Sequence, residues 1–419
     1  MQTSFPSPIP HIIQQHAEES AILHNIRLHQ VVAPHVKLHH LRRIDDRIAA
    51  HFDGLAVAGN YGLKVCEEAL ESAGTGEVFT ATVRAIEEND EIHLDKLFAL
   101  GGTVTKVQPG LRSAFSWVSA QFLKGVGAKL LASDNPLKQR VGIDACVSHR
   151  IDPGMVLTSL ISHRDTVLHT RALCAAGEMG RLDLRSQCEQ FFSDKDISCR
   201  FWAAWSAVLL GNRTNAIQVL KQYAGSFNPF QQIALQLVLK VIAMTEAHDL
   251  LKKLAVDAAN MRSLIVVVGI AGDPFYVPWL IKQMDDPEFA RLAGESFSFI
   301  TGLDLAYLDL ERDVPEEIEL EPNDDPESNN VQMHEDDNLP WPDPTKIQTW
   351  WDANKGSFTN GERHFMGKLI SREHCAQVLK VGFQRQRIAA SQYLSLLDPA
   401  ISIFPTDAPA WRQQRWLDT

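Results

Sequence analysis

Apolar residues cluster at helical spacing along most of the chain, and the clusters recur at a near-constant interval. Four of them start at an arginine: RALCAAGEMG from Arg171, RFWAAWSAVLLG from Arg200, RSLIVVVGIAGD from Arg262 and RLAGESFSFITG from Arg291. Arg171 precedes Arg200 by 29 positions and Arg262 precedes Arg291 by 29. The gap from Arg200 to Arg262 is 62, two steps of 31, and Gln231 in FQQIALQLVLKVIA falls at its midpoint. Going backwards, Arg140 lies 31 before Arg171, and Arg112 lies 28 before Arg140. A period near 30 held over this many units marks a repeat architecture.

Each unit reads as two helices. Leu184 to Phe192 is a first amphipathic helix, Ser193 to Asp196 a turn of N-capping residues, and Ile197 to Leu210 a second, more apolar helix. Gly180, Gly211 and Gly302 stand where a residue at positive φ ends such a helix. Asp152-Pro153, Asn228-Pro229, Asp273-Pro274 and Asp286-Pro287 read as N-cap followed by first turn. Small residues follow each lead position: Cys174 and Ala175, Ala203 and Ala204, Ala234, Gly294. They let neighbouring helices approach, and a row of pairs buries a face that one pair cannot. Strand signals are weak throughout. The predicted fold is all-α, an α-solenoid of HEAT-like helical pairs.

Four regions follow. Residues 1–110 fit the period poorly and read as irregular helical pairs, with helices at Val36–Ala58, Tyr61–Ser72 and Phe79–Glu88. Residues 111–302 carry the repeat array. Residues 303–345 form an acidic, proline-rich insertion, and residues 346–419 return to helical repeats at Ile347, Arg372 and Gln384. From Asp313 to Thr345 there is no lysine or arginine, and twelve acids stand there, among them Asp324, Asp325, Glu327, Glu335, Asp336, Asp337 and Asp343. Six prolines in the same stretch exclude a long helix.

Composition narrows the function. Apolar residues are 45% and charged residues 22%, the balance of a folded chain. The net charge of -12 opposes general binding to phosphate backbones. Without the insertion's twelve negatives the rest is near neutral. Six widely spaced cysteines without a C-x-x-C pair read as free thiols. The first residues lack the basic start and apolar run of a signal peptide, and the longest apolar stretches, such as Leu264–Ala271, are too short to span a bilayer. The expectation is a cytoplasmic protein without membrane insertion.

The repeat arginines Arg140, Arg171, Arg200, Arg262, Arg291 and Arg387 read as structural. Each is expected to pair with turn aspartates such as Asp165, Asp194, Asp196, Asp285 and Asp286; the other reading is a basic ladder that grips an anion. The insertion lacks the ligand spacing of a calcium loop. Trp341, Trp350 and Trp351 flank it and, with Asp336, Asp337 and Asp343, form the candidate protein-binding surface, unless the tryptophans only pin the loop. His35 and His39 share a helix face beside His40, but no third metal ligand is evident. His374 and Cys375 are adjacent and so point in different directions on a helix. No Walker A, G-x-G-x-x-G or G-x-S-x-G motif occurs. The chain is read as non-catalytic, with no cofactor and no metal.

The segments VPWLIKQMDDPEFARLAGESFSFITGLDL (277–305), LPWPD (339–343) and VLKVGFQRQRIAASQYL (378–394) resemble an uncharacterised bacterial HEAT-like repeat family. Genes of that family often lie near those for type VI secretion spike proteins. The resemblance implies a scaffold or adaptor that binds another protein, such as a spike or effector protein, as an accessory or effector-loading factor. It brings no catalytic residues and no nucleic-acid partner. The rival is an enzyme on a HEAT-like frame, either DNA glycosylase-like or bilin lyase-like. A glycosylase requires a basic groove with aromatic and acidic residues at its centre.

Overall fold

A computed structural model of the chain describes residues 8–315 and 335–418. It is 69% helix and 2% strand, far from the roughly 20–25% strand of an average globular chain. The all-α expectation holds. The chain forms two compact units, one from residues 1–210, 380–384 and 399–419, the other from 211–379 and 385–398. No break falls at residue 110, so the N-terminal helices and the first repeats share one core.

Unit 1 begins with α1 (Pro10–Gln30), α2 (Leu38–Val57), α3 (Asn60–Glu68) and α4 (Thr75–Glu87). It continues with α5 (Glu91–Thr103), α6 (Gln108–Trp117), α7 (Val126–Leu131) and α8 (Pro136–His149). Then come α9 (Met155–Leu160), α10 (Thr166–Glu178), α11 (Arg185–Glu189) and α12 (Ile197–Leu209). α4 packs on α6, α6 on α8, α8 on α10 and α10 on α12, while α5, α7, α9 and α11 each pack beside one of them. Phe79, Leu111, Phe115, Val141 and Phe201 are fully buried along this row, each contributing about 1.5–3 kcal/mol.

In unit 2, α13 (Asn215–Ala224), α15 (Met244–Leu254) and α17 (Val277–Gln283) pair with α14 (Gln231–Val241), α16 (Met261–Ala271) and α18 (Ala290–Thr301). α14 packs on α16 and α16 on α18. α19 (Pro344–Asn354) is followed by a short antiparallel ribbon, β1 (His364–Phe365) and β2 (Lys368–Leu369). α20 (Arg372–Val381) and α21 (Gln384–Leu397) follow, with residues 380–384 belonging to unit 1, and α22 (Ala410–Leu417) closes unit 1.

Both units use the same device to bring second helices together. A Cβ on Gly177 would lie 2.7 Å from the Ser206 backbone, and one on Gly269 would lie 2.9 Å from that of Ser296. The serines use the contact: Ser206 Oγ donates to the Leu173 carbonyl at 2.6 Å, and Ser296 Oγ to that of Ile265 at 2.9 Å.

The capping prediction holds in part. Asp273 accepts the Phe275 N–H at 2.9 Å and caps a helical turn at Pro274. Asp152, Asn228 and Asp286 instead close turns three or four residues ahead of their helices, accepting from Gly154, Phe230 and Glu288 N–H groups. The true caps of α10 and α12 are Asp165 and Asp196. Their carboxylates accept from backbone N–H groups at the helix starts.

The last residues do not extend the C-terminal repeats of 346–419. Residues 399–418 return to unit 1. Arg412 donates to the carbonyls of Ser116, Trp117 and Val118 at 2.7, 3.0 and 2.6 Å, closing the C-terminal end of α6. Asp45 accepts the Ala410 N–H at 2.6 Å, and Arg27 joins Asp45 at 2.5 Å to the Ala408 carbonyl at 3.1 Å.

Candidate functional site

A cavity of about 680 Å³ opens inside unit 1. Its walls are the row α6, α8 and α10, with α1 on one side and residues 403–409 on another. The size is that of a small ligand or a few peptide residues. Repeat periodicity builds one wall: Arg112, Arg140 and Arg171 lie on successive helices and all face the cavity. Trp117, Trp202 and Phe404 add apolar surface.

Asp144 is the centre of this wall. It is 7% exposed and binds both Arg112 and Arg171. Burial pushes its carboxyl up, but the Arg171 and Arg112 guanidiniums outweigh that and hold it below the ordinary carboxylate range. Arg171 also pairs with Glu178 at 2.6 Å. Arg140, between the other two arginines, donates to the Gln108 side chain, and its buried Nε has no hydrogen-bond partner. Across the lining, Asp407 is an exposed residue whose carboxyl is raised by the surrounding protein, with the Arg27 charge opposing. The thiol of Cys174 is likewise raised, by burial and then by Glu178, so it is no thiolate nucleophile.

His24 also borders the cavity, stacked on Phe79 at 3.8 Å and hydrogen-bonded to Ser113 Oγ at 2.7 Å. Burial, then the Arg27 charge, pushes its pKa down to about 3. His149 donates from Nε2 to the Phe115 carbonyl at 3.0 Å, and burial with the Arg412 charge brings it down to about 4. Both rings are neutral in the native state, so unfolding takes up protons below about pH 6.5. Stability is expected to be full above that pH and to fall toward pH 4, each ring costing about 2 kcal/mol by pH 4.5. Urea denaturation at pH 7 and 4.5 checks this. His149→Gln, which keeps an amide donor, should lose less on acidification than the parent.

The insertion residues sit elsewhere, in unit 2, and mostly face inward. Trp341 is 7% exposed, with the Arg291 guanidinium 4.9 Å from its ring centre. Its carbonyl accepts from the Arg312 N–H at 2.9 Å, and the Asp343 N–H donates to the Leu310 carbonyl at 2.9 Å. Trp351 is buried beside Phe358, and Trp350 meets the edges of Phe297 and Phe358. Asp343 caps α19. Asp336, 2% exposed, pairs with Arg262 at 2.6 Å, and Asp337 pairs with Arg291 at 2.9 Å. Hence this set does not present the exposed indole anchors and free acids that the sequence suggested; it pins the returning chain. Glu316–Glu327, including Asp324 and Asp325, lie outside the described residues.

At Arg171, Arg262 and Arg291 the ion-pair partners are other acids than the turn aspartates. Arg171 takes Asp144 and Glu178, Arg262 and Arg291 take the acids at 335–337, and Arg200 donates to the Asp194 carbonyl at 2.6 Å. Arg387, buried, donates to the Leu379 carbonyl at 2.8 Å, and burial lowers its pKa to about 10. Arg27, Trp117, Asp144, Glu178, Trp202 and Asp407 were not singled out by sequence. Two had a signal: Asp144 stands four residues after Arg140 and Glu178 seven after Arg171, on the same faces as the lead arginines.

Other reactive groups are closed in. Cys375 is buried with its thiol raised to about 11, and His374 Nε2 donates to the Phe365 carbonyl at 2.7 Å. Cys199 lies 3.5 Å from His169, yet burial keeps the thiol near 11. Lys240 is buried over the Tyr393 ring and bonded to Gln392, and burial brings it down to about 7. Its folded pKa lies below the unfolded value of about 10.5, so unfolding takes up a proton between pH 7 and 10.5. Stability should therefore rise with pH across that window. Lys240→Met is expected to remove the rise and to stabilise the protein at pH 6.5 by about 1–3 kcal/mol, read from denaturant midpoints.

Among the described residues, no three His, Cys, Asp or Glu side chains gather to hold a metal ion. No described helix is long and apolar enough to cross a membrane. Fold and site together define an all-α protein with an arginine-lined cavity in its first unit. Compared with models of protein families, with curated proteins and with solved structures, the chain matches none.

Proposed function

We propose that the chain is a non-catalytic adaptor that binds another protein, its helical pairs stacking as HEAT-like repeats into an α-solenoid. One observation carries the reading: the arginine-led helices α6, α8 and α10 turn their lead side chains into a single cavity of about 680 Å³. That wall offers guanidinium forks and indole rings for recognition, and the thiol on it is held protonated. The unbroken order of helix contacts, α4 through α12 and α14 through α18, supports the stacking. The partner we propose is a spike or effector component of a type VI secretion system, on the strength of LPWPD and its neighbouring segments alone. Affinity purification from a native lysate with mass spectrometry tests this. Stoichiometric co-purification of a secretion component is the expected result, and recovery of no protein overturns the reading.

One observation favours the rival enzyme. Three acids, four arginines and two tryptophans share the cavity, the composition a glycosylase needs. Against it, Asp144 is buried and held by two guanidiniums, so it is not free to act on a base. Incubation with alkylated DNA separates the two: release of a damaged base would establish the enzyme.

A further inference from the structure

Unit 2 contains a worked example of what its repeat arginines hold. Arg262 on α16 and Arg291 on α18 stand 29 residues apart. Three consecutive acids bridge them. Arg262 Nη2 lies 2.8 Å from Glu335 and 2.6 Å from Asp336, and Arg291 Nη1 lies 2.9 Å from Asp337. Two residues past Leu339, the Trp341 ring lies under the Arg291 guanidinium. One acidic turn, closed by the Leu339 N–H on the Asp336 carbonyl at 3.0 Å, thus spans two rungs of the row and leads to an aromatic ring.

Unit 1 repeats the rungs. Arg140 and Arg171 stand 31 residues apart on α8 and α10. Here, however, the carboxylates come from the helices themselves, and they serve only Arg112 and Arg171. Arg140 pairs with no carboxylate among the described residues, and its Nε is buried without a partner. A partly buried guanidinium in that state costs free energy that an incoming carboxylate would recover through charge-assisted, two-point hydrogen bonds.

We propose that the unit 1 cavity docks an acidic peptide segment of a partner protein, with Arg140 as the principal carboxylate anchor and Arg112 as the second. The inference rests on the adaptor reading and names the chemistry of the partner. Arg112 is suited to the second place because its side chain is 42% exposed while it touches Asp144. Trp117 and Trp202 supply apolar wall for the residues that follow, as Trp341 does within unit 2. Asp407 is the opposing acid on the lining.

The probe is a labelled peptide with the sequence of Glu335–Trp341 (EDDNLPW), titrated into the full chain by fluorescence anisotropy. Saturable binding is expected, absent for the neutral peptide QNNNLPW, and at least ten-fold weaker in Arg140→Gln. Arg140→Lys keeps the charge and so guards against misfolding; loss of the planar fork should still weaken binding at least three-fold. Full affinity in a folded Arg140 variant overturns the proposal. So does no binding by the acidic peptide, or displacement by inorganic phosphate at concentrations below those of the peptide, which would mark a small-anion site. A lysate partner recovered equally by wild type and Arg140→Gln removes this inference and leaves the adaptor reading standing. Recovery of none by wild type removes the adaptor reading, while the peptide titration still decides this one.

Discussion

Replacing Trp341 by alanine is expected to destabilise unit 2 by about 3–5 kcal/mol, lowering its melting temperature by on the order of 10 °C. The ring is 7% exposed, so the change empties a cavity and strips Arg291 of the face it covers. It also loosens the strap in which the Trp341 carbonyl meets the Arg312 N–H and Asp343 meets Leu310. Trp341→Phe keeps most of the ring and should cost much less. Thermal melts followed by circular dichroism read both. If Trp341 were instead an exposed anchor, alanine would leave the melt unchanged and weaken a partner's affinity. That outcome would return the binding surface to the insertion.

A second large effect is expected at Asp144. Asp144→Ala leaves Arg112, Arg140 and Arg171 side by side with Glu178 as their one ion-pair partner among the described residues. Breaking one partner out of a buried ion network costs about 3–5 kcal/mol, and unit 1 should show it in urea midpoints at pH 7. Arg112→Gln is the informative contrast. Its guanidinium is half in solvent and Asp144 retains Arg171, so the loss should stay under about 1 kcal/mol. The pH dependence has a defined sign. The Asp144 carboxyl is held below its unfolded value, so its contribution is present above pH 4 and is lost as pH falls further. The gap between wild type and Asp144→Ala should therefore be flat from pH 5 to 8. A gap that closes across that range would mean that Asp144 is not held by the two arginines.

Deleting acidic residues is not uniformly silent either. The sequence marks residues 303–345 as one acidic, proline-rich insertion. Glu335 and Asp336 close onto Arg262, so a deletion meant to spare the core has to stop before them.

The sequence by itself determined the helices and their phase. The apolar period is local: it follows from 3.6 residues per turn and is legible in any window. α2, α12, α20 and α21 lie within two residues of where spacing and terminators place them. The interval near 30 likewise identified the helices that pack in rows, because equal spacing puts equivalent side chains on equivalent faces. α1 escaped this reading because Ile12, Ile22 and Ile26 stay exposed on it, while its buried face mixes Ser20, His24 and Arg27 with Ile13, Ala17, Ala21 and Leu23.

Only tertiary structure decided the partners. An arginine's spacing does not say which carboxylate will reach it, since the acids it meets come from other helices and from distant segments, as Asp144 and the acids at 335–337 do. The division of the chain is nonlocal too. Residues 399–418 pack some 300 positions back in sequence, through Arg412 on the end of α6 and Asp45 on the start of α22. No periodicity encodes that return. The cavity depends on it, because the returning segment supplies a wall and Asp407. So the rungs were written in the sequence, while the enclosure that leaves Arg140 without an ion-paired carboxylate among the described residues arose from how distant segments compete for the same charges and the same buried space.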